Sequence, residues 1–291
     1  MPHIAFLSTD NLDDFFVYDE LLIPHFEANG WKVSTVSWHD KSVDWSRFDY
    51  VIVRSTWDYQ QHAQAFLACL ETIEQSSAVL LNPLSLIKWN IEKHYLRDLD
   101  ASGVPIVNTL WFSQFDEKDL YNAFDTLGCD TLVVKPVLSA NADDTFKLSR
   151  DDIQTQSDHL RALFSSREFM VQPFLDCIVN EGEYSLFYFG GHYSHAIKKV
   201  PQQGDFRVQE EHGGSLYAVD ADAIQQGMAQ RALDAMPTPA LYARVDLVRQ
   251  QDQWGIMELE LIELSLYFNL DDASPVKFVE AMMALHHSHT A

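Results

Sequence analysis

Val245-Asp246-Leu247-Val248, then the polar turn Arg249-Gln250-Gln251-Asp252-Gln253, then Ile256-Met257-Glu258-Leu259-Glu260-Leu261-Ile262-Glu263: the reading of this stretch decides the fold. Two apolar runs around a polar turn predict an antiparallel hairpin. Glu258 and Glu260 are two residues apart, so both side chains stand on one face of the second strand. Asp246 on the first strand lies opposite that face. Apolar residues bracket all three acids, and a carboxylate buried without a partner is costly. Three acids on one mostly buried face therefore call for a cation. An all-oxygen donor set suits a hard ion, and Mg2+ commonly arrives with phosphates. The competing arrangement is an edge hairpin whose acids all face water.

The 291 residues carry 43 acids against 20 lysines and arginines, a formal net charge of −23. So acidic a surface repels phosphate backbones and anionic lipid, which argues against nucleic acid and membrane as partners. With 47% hydrophobic residues the chain can bury a sizeable core, in two or three lobes. Cys69, Cys129 and Cys177 are far apart and odd in number, as expected of small buried residues in a reducing compartment. The chain begins directly with strand-like His3-Ile4-Ala5-Phe6-Leu7, without a basic leader, and no run approaches the ~18 apolar residues of a membrane span. A soluble cytoplasmic protein is the expectation.

Along the chain, strand patterns at 3–7, 32–38 and 50–54 alternate with helix patterns at 17–27 and 61–74, the first ending in Asn29-Gly30. That alternation predicts a small parallel sheet. Asn82-Pro83 breaks the pattern, and 91–102 reads as a helix closed by Gly103-Val104-Pro105. Strand patterns at 131–134, 168–172, 184–189 and 192–200, with the hairpin above, then predict an α+β body with antiparallel pairing.

Several segments carry chemistry. Leu132-Val133-Val134-Lys135-Pro136 puts a lysine at the end of an apolar strand, where it either meets a phosphate or snorkels to solvent. The loop 137–145 that follows is rich in small residues but holds no glycine. Gln172-Pro173-Phe174 ends an apolar strand and offers backbone groups to an adenine edge. Glu181 and Glu183 open the next strand, suited to ribose hydroxyls or simply solvated. Lys198-Lys199, with Gly204-Asp205-Phe206-Arg207, is either an anion site or a salt-bridged surface loop; in the first case Arg207 grips a transferring phosphoryl group. Arg54-Ser55-Thr56-Trp57-Asp58-Tyr59 follows a parallel strand, the place where α/β sheets bind ligands. Arg54, Ser55, Thr56 and Asp58 there suit a small substrate bearing a carboxylate; the alternative is a turn packed by Trp57 and Tyr59. His286, His287 and His289 read as a polar tail in preference to a metal site.

Taken in order, these segments resemble the ATP-grasp superfamily of carboxylate–amine ligases over nearly the whole chain. The resemblance is to the branch that holds the ribosomal-protein glutamate ligase, bacterial glutathione synthetase and the D-cycloserine-forming enzyme. In that branch an Asp and a Glu-x-Asn pair on adjoining strands hold Mg2+. Asp246 matches the first and Glu258 the second, while Glu260 stands where asparagine is usual. Lys135 matches the lysine before the phosphate-covering loop. Lys93, in Asn90-Ile91-Glu92-Lys93-His94-Tyr95-Leu96, matches the earlier nucleotide-contacting lysine, with Lys88 the weaker match. Gln172 to Phe174 resembles the adenine hinge, Glu183 stands at the ribose acid, and Gly204-Asp205-Phe206-Arg207 reproduces the Gly-Asp-Phe-Arg segment. Ser139-Ala140-Asn141-Ala142 departs from the glycine-rich covering loop. The segments 54–59 and 204–214 are more similar to the D-cycloserine-forming subgroup than to the glutathione enzymes.

The resemblance implies an α/β N-terminal substrate lobe (1–85), a central ATP-grasp subdomain (86–170) and a C-terminal one carrying the metal (171–291), with the nucleotide clamped between two antiparallel sheets. It implies ATP and Mg2+, with Mn2+ as a substitute, and a small amino-acid-like substrate joined to an amine or thiol through an acyl-phosphate with release of ADP. Such chemistry rests on positioning and on neutralising phosphate charge. Lys93, Lys135 and Arg207 would supply that charge, the last two at the reacting phosphoryl group. The rival readings are an intramolecular cyclase of the D-cycloserine type, a nucleotide-binding protein without turnover, which leaves the acid triad and Arg207 without a use, and a simple α/β binding module for small ligands, which leaves the buried acids unexplained. A homo-oligomer is left open.

Overall fold

Long apolar runs place the first strands between two layers. β1 (His3–Ser8), β2 (Lys32–Ser37), β3 (Tyr50–Ser55) and β4 (Val79–Leu81) form a parallel sheet in the order β2-β1-β3-β4, and β3 is buried along its whole length. The computed structural model describes residues 1–13 and 15–290, the side chains of 289 and 290 excepted. The expected helix at 17–27 is instead a 3-10 turn, Asp19–Leu22, followed by α1 (Ile23–Ala28). Pro24 has no N–H and fits only the first turn of a helix, so the α-helix starts beside it. α2 (Ala63–Glu74) buries Phe66, Cys69, Leu70 and Ile73, the i, i+3, i+4, i+7 stripe of one helix face. The helix expected at 91–102 is present but starts later, as α4 (Tyr95–Ala101), and a helix that was not expected, α3 (Leu84–Asn90), precedes it. Between them the Lys93 N–H donates to the Val137 carbonyl (2.9 Å), a long-range bond that takes the turn out of the helix.

β5 (Leu110–Phe112), β6 (Thr131–Pro136), β7 (Phe146–Ser149) and β8 (Phe169–Pro173) make a second sheet, antiparallel throughout, in the order β5-β8-β6-β7. α5 (Glu117–Leu127) and α6 (Arg150–Leu163) cover one face, around Phe124, Leu132, Val134, Leu160 and Phe169. Asp116 caps the first helix, and Ser149 with Asp152 forms a capping box at the second.

After α7 (Asp176–Asn180), the strands β9 (Glu183–Phe189), β10 (His192–Val200), β11 (Ser215–Val219), β12 (Tyr242–Gln250) and β13 (Gln253–Glu260) form the antiparallel sheet β11-β10-β9-β12-β13. α8 (Ala223–Asp234) and α4 pack on one face, around Leu186, Tyr188, Val245 and Leu247. The hairpin turn is tighter than expected: only Gln251 and Asp252 separate the strands, with Gln251 at φ +54°. β13 is an edge strand whose outer groups are met by the 105–107 backbone at Ile256 and by side chains further on. Leu259 N–H donates to the Tyr95 hydroxyl (3.0 Å), and Asn90 accepts from Leu261 N–H and donates to the Leu259 carbonyl.

α9 (Ser274–Thr290) returns to the first sheet, where Phe278, Val279 and Met282 join Ile4, Phe6 and Phe26, and also Phe187, Phe189 and Ile197 of the third sheet. The first lobe thus shares a core with the third sheet, and α9, from the far end of the chain, packs into it. The expected boundary at 170 falls inside β8, a strand that belongs wholly to the second sheet. No helix among the described residues is long and apolar enough to cross a membrane, and the three cysteines are free thiols. His286 bonds Tyr50 through Nδ1 (2.7 Å); the side chain of His289 lies outside the described residues.

Candidate active site

Strand alternation puts charges on one face of the third sheet, row by row. Lys199 lies opposite Glu183, Ser185 opposite Asp246, Asp246 opposite Glu258, and Arg244 opposite Glu260. Cross-strand neighbours stand close enough to bond. Asp246 accepts from Arg244 Nε (3.0 Å) and Nη2 (2.9 Å), Ser185 Oγ (2.5 Å) and Lys199 Nζ (3.3 Å). Lys199 also meets Glu183 (2.5 Å), Arg244 meets Glu260, and Lys93 meets Glu258 (2.7 Å). The acid face expected to be uncompensated is therefore interleaved with the protein's own cations, two from neighbouring strands and one from the α3–α4 turn. Neither Arg244 nor Lys199 was expected here; the Arg244-x-Asp246 spacing was the available signal. The Lys198-Lys199 pair, open between an anion site and a surface loop, splits between faces: Lys198 lies over the Tyr217 ring while Lys199 turns inward.

One oxygen each from Asp246, Glu258 and Glu260 lies within 4.8 Å of the others, a donor set of hard carboxylate oxygens that fits a divalent cation. Burial opposes the charge on Asp246, yet Arg244 and Lys199 hold it below the usual carboxylate range. Burial pushes Glu260 the other way, up to about 8, with Glu258 and Asp246 adding to the effect against Arg244. A cation here would relieve that crowding.

Across the cleft, the alternation of β6 sends Leu132 and Val134 into the core and leaves Val133 and Lys135 on the opposite face. Burial, and then the nearby Lys93 charge, hold the Lys135 ammonium below its ordinary value against the pull of Glu258. Lys93 Nζ also donates to the Ser139 carbonyl (2.9 Å) at the base of the covering loop. That loop closes without glycine by placing Asn141, Ala142 and Asp144 in the left-handed region, φ +50°, +57° and +51°. Gln172 is buried on β8 and bonds Thr109 (3.0 Å), with Pro173 and Phe174 beside it. Arg207 stands on the rim, gripped by Asp205, whose carboxylate also accepts the Phe206 and Arg207 N–H groups. These bonds to Arg207 hold the Asp205 carboxyl well below its usual range.

The second and third sheets and the first lobe together line a cleft of about 1540 Å³, open water at its mouth included. Lys93, Lys135, Gln172, Pro173, Phe174, Glu183, Arg207, Asp246, Glu258 and Glu260 all line it. The expected substrate residues do not. Arg54 is 2% exposed and bonds Asp19 through Nε (2.9 Å) and Nη2 (2.8 Å), Ser55 donates to the same Asp19, and Thr56 is fully buried. Asp58 faces away, accepting from Thr9, Trp38 and His39. The place of Arg54 beyond β3 suits a grip on a substrate carboxylate, but the anion it meets is Asp19, supplied by the same lobe. Of this segment, Trp57 and Tyr59, open between substrate contact and turn packing, are the side chains that reach the cleft, with Phe15, Glu263 and Tyr267 from elsewhere in the chain.

Past β13 the chain is braced residue by residue. The Leu261 carbonyl accepts from Asn82 (2.9 Å), Ile262 from the Tyr242 hydroxyl (3.0 Å), Glu263 from Trp57 Nε1 (2.7 Å) and Leu264 from Arg54 (3.2 Å). Three of these donors belong to the first lobe, so it grips the continuation of the acid-bearing strand.

A family model described as the N-terminal domain of D-cycloserine synthetase DcsG matches residues 4–82. The cycloserine biosynthesis protein DcsG of Streptomyces lavendulae is 32% identical over 262 residues, 84% of this chain and 86% of that protein. The crystal structure of D-cycloserine synthetase DcsG is similar at a TM-score of 0.85, with 29% identity, over 96% of this chain and 98% of that one. D-alanine–D-alanine ligase from Bacillus anthracis, solved in complex with ATP, shares the fold at a TM-score of 0.69 and 14% identity, over 98% and 97%.

Proposed function

The chain belongs to the ATP-grasp superfamily, in the group of D-cycloserine synthetase, and is an enzyme of the ligase type; from that premise we propose that it uses Mg2+ and ATP to activate the carboxylate of a small amino-acid-like substrate as an acyl-phosphate, which an amine then attacks. The observation that carries the reading is the convergence in one cleft of three carboxylates at metal-holding distance with Lys93, Lys135 and Arg207. ATP-grasp ligases use ATP with a divalent metal. Asp246, Glu258 and Glu260 would hold the ion, which supplies charge neutralisation at the terminal phosphates. Lys93 and Lys135 bind phosphate oxygens, Gln172 to Phe174 border the adenine, and Glu183 borders the ribose. Arg207, on its Asp205-braced loop, neutralises charge that grows on the phosphoryl group in transfer.

The likeness to D-cycloserine synthetase favours the intramolecular form of the same chemistry, in which the attacking amine belongs to the activated molecule. The mass of the product decides: a cyclase gives substrate minus water, an intermolecular ligase the sum of two substrates minus water. The test is the nucleotide released from ATP when a panel of amino acids is offered. ADP with phosphate is expected, and stoichiometric AMP overturns the mechanism. Lys135→Met should lower ATP affinity by roughly 1.5–3 kcal/mol, the scale of a charge-assisted hydrogen bond. Arg207→Ala should cut turnover by roughly 3 kcal/mol in barrier while ATP binds nearly as before.

A further inference from the structure

Glu263 faces the cleft three residues beyond Glu260 and differs from the buried acids of the third sheet. Glu183, Asp246, Glu258 and Glu260 each have a lysine or arginine at ion-pair distance. Glu263, among the described residues, has none. Its partners are neutral: Gln60 Nε2 donates to Oε1 (3.0 Å), and the Tyr59 hydroxyl lies against the carboxyl. Neutral donors fix a carboxylate in place without cancelling its charge, and the cation that acts on it from further off, Lys93, is already paired with Glu258 (2.7 Å). Burial accordingly pushes this group up to about 7, so an arriving cation gains from meeting it.

The surroundings decide which cation. Trp57 donates its indole N–H to the Glu263 carbonyl, Phe15 packs on Trp57 with ring centroids 5.0 Å apart, and Tyr59 completes the wall. A divalent metal needs several oxygens, and Glu263 is not part of the three-acid group that could supply them. An organic ammonium suits one carboxylate beside aromatic faces, since the ring quadrupole attracts the charge and the ring accommodates the attached carbon. We propose that Glu263, walled by Trp57, Tyr59 and Phe15, is the subsite that receives the protonated amino group of an amino-acid substrate. The inference rests on the ligase reading above and extends it: the enzyme selects free amino acids and rejects their N-acylated forms.

The test is calorimetry on the full chain loaded with MgADP. The probes are alanine and serine, both enantiomers of each, and the N-acetyl derivative of each. Expected is binding of at least one free amino acid, with its N-acetyl form weaker by roughly tenfold or more, the scale of one charge-assisted contact. Glu263→Gln, which keeps size and hydrogen bonding, should weaken the free amino acid by a similar factor while MgADP affinity is retained. Equal binding of N-acetyl and free forms, or of variant and wild type, overturns the subsite. So does the failure of all four amino acids to bind a protein that holds MgADP. Failure to bind MgADP at all removes the ligase reading first, and the subsite with it.

Discussion

Asp246 is 1% exposed, and Arg244, Lys199 and Ser185 all bond it. Removing its charge strands two buried cations, so Asp246→Asn should destabilise the fold by roughly 3–5 kcal/mol besides weakening metal binding. Relief of repulsion between neighbouring acids would have suggested the opposite sign. Denaturant midpoints measured without metal decide between them; an unshifted midpoint would mean the cations find other partners. Arg54 poses a similar question. Arg54→Lys cannot span both Asp19 oxygen-facing bonds and the Leu264 carbonyl, since lysine lacks the planar fork. We expect a loss of roughly 2 kcal/mol in stability, read by chemical denaturation, with ATP affinity little changed. A normal denaturation midpoint combined with a raised substrate KM would instead return Arg54 to the binding site.

Among the elements, the loop between β10 and β11 places Arg207 through one close backbone approach. A Cβ on Gly214 would stand 2.2 Å from the Val208 carbonyl oxygen, which no side-chain adjustment relieves. Gly214→Ala should therefore displace the 205–209 segment and lower turnover about as much as Arg207→Ala, with the global midpoint shifted by less than roughly 1 kcal/mol. Turnover near wild type would show that the segment tolerates the shift. In β10, His195 is stacked on Phe187 with ring centroids 4.3 Å apart, and its Nε2–H donates to the Leu266 carbonyl (3.0 Å). Burial lowers its pKa to about 4. The unfolded chain, with histidine near its ordinary value of about 6.5, then binds more protons than the native one between those limits. Stability from this group is complete above pH 6.5 and is lost as pH falls toward 4, on the order of 1–2 kcal/mol by pH 5. His195→Gln keeps an N–H for Leu266 and should flatten the change in midpoint between pH 7 and 5; an unchanged slope would assign the pH response to other groups. What was legible in these elements follows one physical rule. Alternation around Asp246, Glu258 and Glu260, and unbroken apolar runs at β1 and β3, are local signals. β4 has only three residues, the break at Lys93 depends on Val137, and Arg54 depends on Asp19, so no local window displays them.

Across the whole molecule, the residues expected at the nucleotide and the metal converge on one cleft, whereas the substrate residues expected beyond β3 do not. The difference lies in the chemistry of each site. Phosphate and metal sites require particular charges, and charges are visible in a sequence; the end of the cleft proposed for the substrate is lined by Trp57, Tyr59 and Phe15, whose types also suit ordinary packing. Nor could the return of α9 to the first sheet be read from its own residues, because the partners that bury Phe278 lie at the opposite end of the chain. The braced segment 261–264 has a consequence for the order of events in the cleft. Its carbonyls are held by Asn82, Tyr242, Trp57 and Arg54, so Glu260 and Glu263 stand at two ends of one fixed span. We expect occupancy at either end to be felt at the other through this span. Equilibrium linkage makes this influence mutual: whatever factor by which MgADP tightens an amino acid, the amino acid tightens MgADP by the same factor. A coupling of roughly 5- to 150-fold, typical of communicating sites, should appear when the titrations are run in both orders, and should shrink in Trp57→Phe, which releases one of the four clasps.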